Sequence, residues 1–447
     1  MKRALGSLVL LAAAATAAEP RSLADIAREA VERAPALRAA QSAIDMARRA
    51  RSEARAQAYP RLDAGSAFTR GDGPVYAFAS LLDQRDFGPG NFTIGTLNRP
   101  GYVSNIKSHL RAGMPLFTGF EMQTARRLAG LAVTQAEVQA RGVRDEIRRR
   151  VLEAGLAALH GRALAAALAD RIKASEEEVA GAQRLRARGL VLGSDYFAAE
   201  AVLSGLKAGR VQAEKMAQGA EESLGILLGH NAPAPVRGTL RSSGPALPTA
   251  ERLWGHARDH RADLAAARLD AEMAGKSVDR ARASLFPTLD AMAEAQTNTA
   301  DFSSNPSQRL LMLRAQWALG DPSAAARRAK ARFGAEAAEE RRAALEEQAR
   351  VEILQSVRAH EGAGEALPLL DATVDHAARS LEAFRPLYRE GRQSLLDVLR
   401  AEEALARAHS ARLETLAQWH LNRVRALAAA GALDEGALTA LSDSLEK

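Results

Sequence analysis

Two sets of residues are notable for type and spacing: Gly189, Asp195 and Glu200 recur as Gly391, Asp397 and Glu402, 202 residues further on. Each Gly reads as the end of one helix, and Ser194 with Asp195, or Ser394 with Asp397, as the capped start of the next. The chemistry open to such residues is electrostatic. An acid in a first helical turn stabilises the helix dipole by a few tenths of a kcal/mol to about one. Ser194 and Ser394 suit capping, Ser394 with Asp397 has a capping-box pattern with Asp in place of Glu, and Asp397 can pair with Arg400. Bond-making chemistry has no comparable support. The nine His are scattered, no His, Asp and Glu set has metal-ligand spacing, and no nucleophile elbow or phosphate loop is present. The expectation is no enzyme, no metal and no cofactor.

Two helical hairpins with one tip design imply a duplicated chain. A second block repeats at 227 residues: Ala39, Met46, Arg55, Pro60, Leu62 and Asp63 match Ala266, Met273, Arg282, Pro287, Leu289 and Asp290. The 25-residue difference is an insertion in the first copy, placed where Gly71-Asp72-Gly73-Pro74 opens a Gly-, Pro- and Asn-containing stretch ending at Pro100-Gly101. The expected division is a first repeat over 19–229, a linker over 230–248 holding Pro233, Pro235, Pro245 and Pro248, a second repeat over 249–430, and a polar tail over 431–447 on the surface.

The chain opens with Lys2 and Arg3, an apolar stretch from Ala4 to Ala15, and small residues at Thr16, Ala17 and Ala18, which reads as a cleavable secretory signal over 1–18. Its loss takes the net charge from +7 to +5, and export makes nucleic acid an unexpected partner despite the basic balance. With no Cys there is no disulfide framework, thiolate site or lipid-anchored Cys. No later run of about 18 apolar residues predicts a membrane-crossing helix. A β-barrel span stays open. Apolar residues make up 47% of the chain but aromatics only 4%, so Ala and Leu dominate, as suits close helix packing.

In both copies a helical pattern runs to a Pro, over Ser22 to Ala58 and Thr249 to Phe286, and then the period changes to two. Four strands are expected at about 61–70, 103–116, 288–298 and 309–318, each with one polar and one apolar face. Each is close to the ~9 to 11 residues that cross a membrane in a tilted barrel. The same alternation would suit edge strands of a soluble domain. Helices follow from Gly119 to Gly189 and from Gly320 to Gly391, with Gly161, Gly362, Gly364 and Pro368 suggesting a bend midway. Return helices are expected over Ser194 to Leu228 and Ser394 to Leu427. Four strands cannot close a transmembrane barrel, which needs ~8 at least, so other copies of the chain must complete it.

The order of signal, helix, strand pair, long helix, Gly turn with Ser and Asp, and return helix, written twice, resembles the TolC outer-membrane efflux protein family. Met114-Pro115-Leu116-Phe117-Thr118-Gly119 looks like that family's strand-to-helix motif, and Trp317-Ala318-Leu319-Gly320-Asp321 is a looser counterpart. The resemblance implies a mainly α fold with a small β part. Three chains would form a twelve-stranded outer-membrane β-barrel, four strands each, continued by a periplasmic α-helical barrel. The implied function is an exit duct that passively conducts substrates for an efflux or type I secretion system. Its partners would be two further copies of the chain, a periplasmic adaptor (membrane fusion) protein, an inner-membrane pump of RND or ABC type, and outer-membrane lipid. A periplasmic adaptor or a helical scaffold of an export complex is the alternative; an adaptor usually has one hairpin between small β domains, not two hairpins and two strand pairs.

The resemblance also places sites. The periplasmic gate maps to Ser194, Asp195, Tyr388, Gln393, Asp397 and Arg400. Gln393 stands where such a tip has an Arg, and Arg400 where it has a second lumen Asp, so a looser charged lock and weak cation block are expected. A Gln can still hydrogen-bond to Asp195 without charge assistance. The adaptor-docking tip maps to Gly189, Leu190, Gly391 and Ser394. Barrel alternation would turn Asn105, Lys107, His109, Arg111, Arg314 and Gln316 to the lumen, giving a mildly basic lining.

Overall fold

The computed structural model describes residues 19–189, 191–301, 306–390 and 392–446. The expected signal segment, Leu190 and Gly391 lie outside the described residues. The first copy gives helices α1 (Leu23–Arg33) and α2 (Pro35–Ala56), strand β1 (Arg61–Gly71), short helices α3 (Pro74–Asp83) and α4 (Ile94–Asn98), strand β2 (Val103–Thr118), and helices α5 (Glu121–Ala187) and α6 (Gly193–Leu227). The second gives α7 (Ala250–His260), α8 (Ala262–Arg282), β3 (Thr288–Thr299), β4 (Ser307–Gln316), α9 (Pro322–Arg389) and α10 (Leu395–Ala429), followed by α11 (Glu435–Glu446).

The helical runs expected before each strand pair are each interrupted once. Ala34 takes an extended ψ of 122° because the ring of Pro35 excludes the helical region for its predecessor. The second break, at Arg261, has no Pro; its guanidinium instead donates to the Ala429 carbonyl at 2.9 Å and holds Asp263 at 2.8 Å and Glu352 at 2.9 Å. Asp263 in turn accepts the Leu264 N–H at 2.8 Å at the start of α8.

Chain contacts divide the molecule into two units. One comprises the described parts of Met1–Gln41, Val138–Ala265 and Leu345–Lys447. Its main core joins Leu23 and Ile26 of α1, Val151, Leu152 and Leu156 of α5, Leu224 of α6 and Leu438, Leu441 and Leu445 of α11. The C-terminal segment is therefore a packed helix and not a surface appendage. Its leucines recur at three and four residues, which aligns them on one face. The apolar part of α5 could cross a membrane by length and composition alone, but nearly half of it is buried in the chain.

The bend expected at Gly161 is a close helix contact instead. A Cβ there would stand 2.7 Å from the Ala217 nitrogen and 2.8 Å from the Ala213 oxygen, so only Gly lets α6 approach α5 so nearly. Helix α9 also runs unbroken through Gly362, Gly364 and Pro368.

The second unit, Ser42–Glu137 with Ala266–Ala344, holds one antiparallel sheet in the order β1-β2-β3-β4. Arg111 stands opposite Asp63 on one side and Glu294 on the other, and Asp290 stands opposite Arg314, which fixes the register across all four strands. The β2/β3 register slips between Pro115 and Phe117, where Pro115 has no N–H for the ladder. Gly119 and Phe120, with φ of +62° and +71°, turn the chain from β2 into α5. A Cβ on Gly119 would meet the Ala283 oxygen at 2.4 Å, so the turn depends on Gly. Among the described residues, β1 and β4 each leave one edge unpaired.

Candidate functional site

At the first hairpin tip, Gly189 has a φ of +74° and its N–H donates to the Arg186 carbonyl at 2.9 Å, closing α5. The next helix is capped at Leu192, which makes no side-chain bond. Ser194 therefore does not cap: it lies inside the first turn and donates to Asp195 at 3.3 Å. In the second copy Ser394 is the cap; its Oγ accepts the Asp397 N–H at 3.3 Å and donates to Asp397 Oδ2 at 2.7 Å. The two caps are 202 residues apart, so the duplicated position is Leu192 with Ser394, and Ser194 has Leu396 as its counterpart.

Tyr388 packs among Leu381, Val398, Leu395 and Leu399, and its hydroxyl is buried without a hydrogen-bond partner among the described residues. Burial, then the negative charges of Glu178 and Asp195, hold its pKa above the usual phenol value. Asp397 and Arg400 form the expected pair at 3.8 Å, with the Arg400 side chain 70% exposed, so the pair contributes little to stability. Gln393 is half-buried, and within the chain no hydrogen bond joins it to Asp195.

Beside Tyr388 lies a charged cluster that sequence reasoning missed. Glu402 is 1% exposed and accepts from Arg385, which also donates to Glu178 at 3.0 Å; Arg171 lies 3.9 Å from Glu402. The other oxygen of each carboxylate is buried and has no hydrogen bond among the described residues. Burial, then the neighbouring Glu402 charge, pushes the Glu178 carboxyl up to about 6 despite Arg385. The cluster ties α5, α9 and α10 together. Its signal in the sequence was the duplicated Glu, but the counterpart Glu200 only accepts from the Tyr196 hydroxyl at 2.7 Å.

On the sheet, Asn105, Lys107, His109 and Arg111 share one face with Arg314 and Gln316, as the register requires. The expected basic character is offset there, because Asp63, Asp290 and Glu294 lie on the same face. Arg111 holds Glu294 at 2.9 Å and Arg314 lies 3.4 Å from Asp290. Gly65 leaves room for the His109 ring, whose Cε1 lies 2.7 Å from where a Cβ would be. Asn105 donates to Asn298 at 3.0 Å, and both are buried. The opposite face carries Leu62, Phe68, Leu110, Leu311 and Leu313, all exposed within the chain. Among the described residues, no group of three or more His, Cys, Asp or Glu is placed to hold a metal ion.

The family model described as "Outer membrane efflux protein" matches residues 26–230 and 253–432. No curated protein matches the sequence. Solved structures are similar in fold. VceC from Vibrio cholerae, described as an outer membrane protein, is 18% identical with a TM-score of 0.76, over 92% of this chain and 96% of that one. The open state of the Neisseria gonorrhoeae MtrE outer membrane channel is 17% identical with a TM-score of 0.77, over 93% and 90%. The Campylobacter jejuni CmeC outer membrane channel is 14% identical with a TM-score of 0.79, over 95% and 89%. Because the family model matches well over half of the chain, the protein belongs to the outer membrane efflux protein family.

Proposed function

We propose that this chain is the exit duct of a tripartite efflux or type I secretion system. Three copies join β4 of one to β1 of the next in a twelve-stranded outer-membrane barrel, and their helices form a periplasmic tunnel. Substrate passes through without chemistry. The observation that carries this reading is the two-faced sheet with two open edges. Leu62, Phe68, Leu311 and Leu313 are 66–78% exposed on one face, as a lipid-facing surface would be, and Asp63, Arg111, Asp290, Glu294 and Arg314 share the other. Lipid does not tolerate unpaired edges, so the ring must close through other copies.

In this reading Asp195, Tyr388, Gln393, Asp397 and Arg400, with Ser194 beside them, narrow the periplasmic end. Gly189, Leu190, Gly391 and Ser394 present its rim to a periplasmic adaptor, and an inner-membrane pump supplies substrate and energy. The test is to extract the full chain from membranes with detergent, measure its assembly mass, and reconstitute it in a planar bilayer. Outer-membrane trimers with defined conductance steps are expected. A protein released by washing as a soluble monomer would sink the duct and favour the adaptor or scaffold alternative.

A further inference from the structure

The segment between β1 and β2 is longer than a hairpin needs, and it does not stand clear of the sheet. It is fastened to all four strands at the ends far from the long helices. The Tyr76 hydroxyl donates to the Thr69 carbonyl of β1 at 2.7 Å. Gln84 donates to the Ser104 carbonyl at 2.7 Å and to the Asn105 side chain at 3.0 Å on β2, and Asn105 passes the contact to Asn298 of β3. On β4, Gln308 donates to Asp83 at 3.1 Å and the Ser307 carbonyl accepts from Arg85 at 3.3 Å.

Asn105, Asn298 and Gln308 belong to the polar face, so the segment lies over that face and away from the apolar one. Its inner side is packed: Ala77, Ser80 and Gln84 are buried, and beneath them Asn298 is fully covered. Gln84 and Asn105 each donate to a partner there, which offsets their burial, while the Asn298 amide nitrogen is buried with no partner among the described residues. Arg85 takes a left-handed φ of 56°, which ends α3, and the Asp86 N–H returns to the Leu81 carbonyl at 2.9 Å. Beyond this turn, Phe78, Phe87 and Phe92 stack edge to face at 4.8 and 5.2 Å, and Phe92 and Ile94 remain exposed. A connection with no role inside the barrel would carry polar residues outward and leave the face beneath it open.

We propose that residues 73–101 are a lid on the outer mouth of the pore. It covers the far end of the polar face, and its exposed Phe92 and Ile94 supply an apolar constriction of the kind that excludes water and ions. The proposal rests on the barrel reading above, which turns the polar face inward and gathers three lids into one ring. The second copy has no equivalent, since only residues 300–306 join β3 to β4. The insertion found by comparing the two repeats thus has a physical role: one lid per chain.

The chain has no Cys, so a single introduced thiol reports access cleanly. His109→Cys places one on the polar face beneath the lid, and Leu311→Cys one on the apolar face. Intact cells would be treated from outside with a small and a bulky membrane-impermeant maleimide. With the lid in place His109→Cys should react slowly with the small reagent and resist the bulky one. Replacing 73–101 by a short Gly-Asn turn should speed labelling by roughly tenfold or more, the factor for an opening step made easier by ~1.4 kcal/mol. The double change Asp83→Ala with Gln84→Ala keeps the chain length and cuts two tethers, and should move labelling in the same direction. Equal labelling in all three backgrounds overturns the lid and leaves the barrel standing. Labelling at Leu311→Cys with none at His109→Cys, lid present or absent, overturns the barrel reading and the lid with it.

Discussion

Arg111 of β2 and Glu294 of β3 are register partners joined at 2.9 Å, and the Glu294 side chain is only 8% exposed while that of Arg111 is 45% exposed. The acid depends on the base more than the base on the acid. In the proposed barrel Arg111→Ala should leave a covered carboxylate facing the pore, and the cation-to-anion permeability ratio should rise about twofold, the factor for ~0.5 kcal/mol in a water-filled passage. Reversal potentials across a salt gradient measure it. Arg111→Ala with Glu294→Ala should return the ratio to the parent value, and a double variant as selective as the single would remove the pairing argument.

Gly161 and Gly219 lie on neighbouring helices and offer a matched pair. An added methyl at Gly161 meets the backbone of Ala213 and Ala217, whereas at Gly219 it meets nothing within 4 Å. Gly161→Ala should destabilise by about 1–3 kcal/mol through overpacking, and Gly219→Ala should stabilise by about 0.4–1 kcal/mol by restricting the unfolded chain. Thermal melts of the two variants should shift in opposite directions; a shared direction would mean that α6 can move off α5 freely.

Asp397 spends its charge on Arg400, three residues along α10 and 3.8 Å away. A trivalent cation such as hexamminecobalt should therefore block conductance weakly from the periplasmic side. Arg400→Asp replaces a neutralising base with a second acid and should tighten block at least tenfold, since each such change adds about 1 kcal/mol or more at short range in water. Titrating blocker in planar bilayers decides this, and sub-micromolar block of the parent protein would rule out neutralisation of Asp397 by Arg400.

Glu178 makes the tip sensitive to pH in a stated direction. Its folded pKa is raised to about 6 from an ordinary 4.5 by burial and by Glu402. A raised acid contributes stability that is complete below the unfolded value and lost as pH rises through about 6, here up to about 2 kcal/mol. The charged and titratable groups facing it are Glu402, Arg385 and Tyr388, with Arg171 beyond Glu402 and Asp195 beyond Tyr388. Hydrogen exchange at the tip, corrected for intrinsic rate, should be slower at pH 5 than at pH 7.5, and Glu178→Gln should flatten the difference. An unaltered pH dependence in that variant would assign the effect to another group.

The strands were legible because alternation survives any local detail: Asn105, Lys107, His109 and Arg111 can share a face only if the backbone is extended. The tip glycine was legible for a similar reason, since few residues tolerate the φ that Gly189 adopts. Other features depend on distant partners. Nothing local tells Glu402 from Glu200, yet Arg385 draws one into the core and the other reaches only Tyr196. Gly161 reads as a helix weakness until Ala217 is placed beside it. The Gly, Pro and Asn content of 71–101 signalled a loop but not its path, because the tethers through Gln84 and Asp83 reach residues on other strands. Composition also hid α11, whose polar residues outnumber the leucines that anchor it.

The unpaired edges of β1 and β4 have a genetic consequence. In a ring of three, every seam needs a sound β4 from one chain and a sound β1 from the next, so one defective edge opens the whole assembly. A Pro placed inside either edge strand should therefore act dominantly. When parent and variant are made in equal amounts and assemble at random, only about one ring in eight is built wholly of parent chains. Susceptibility to exported compounds should then approach that of a cell lacking the duct, even though half of its chains are intact.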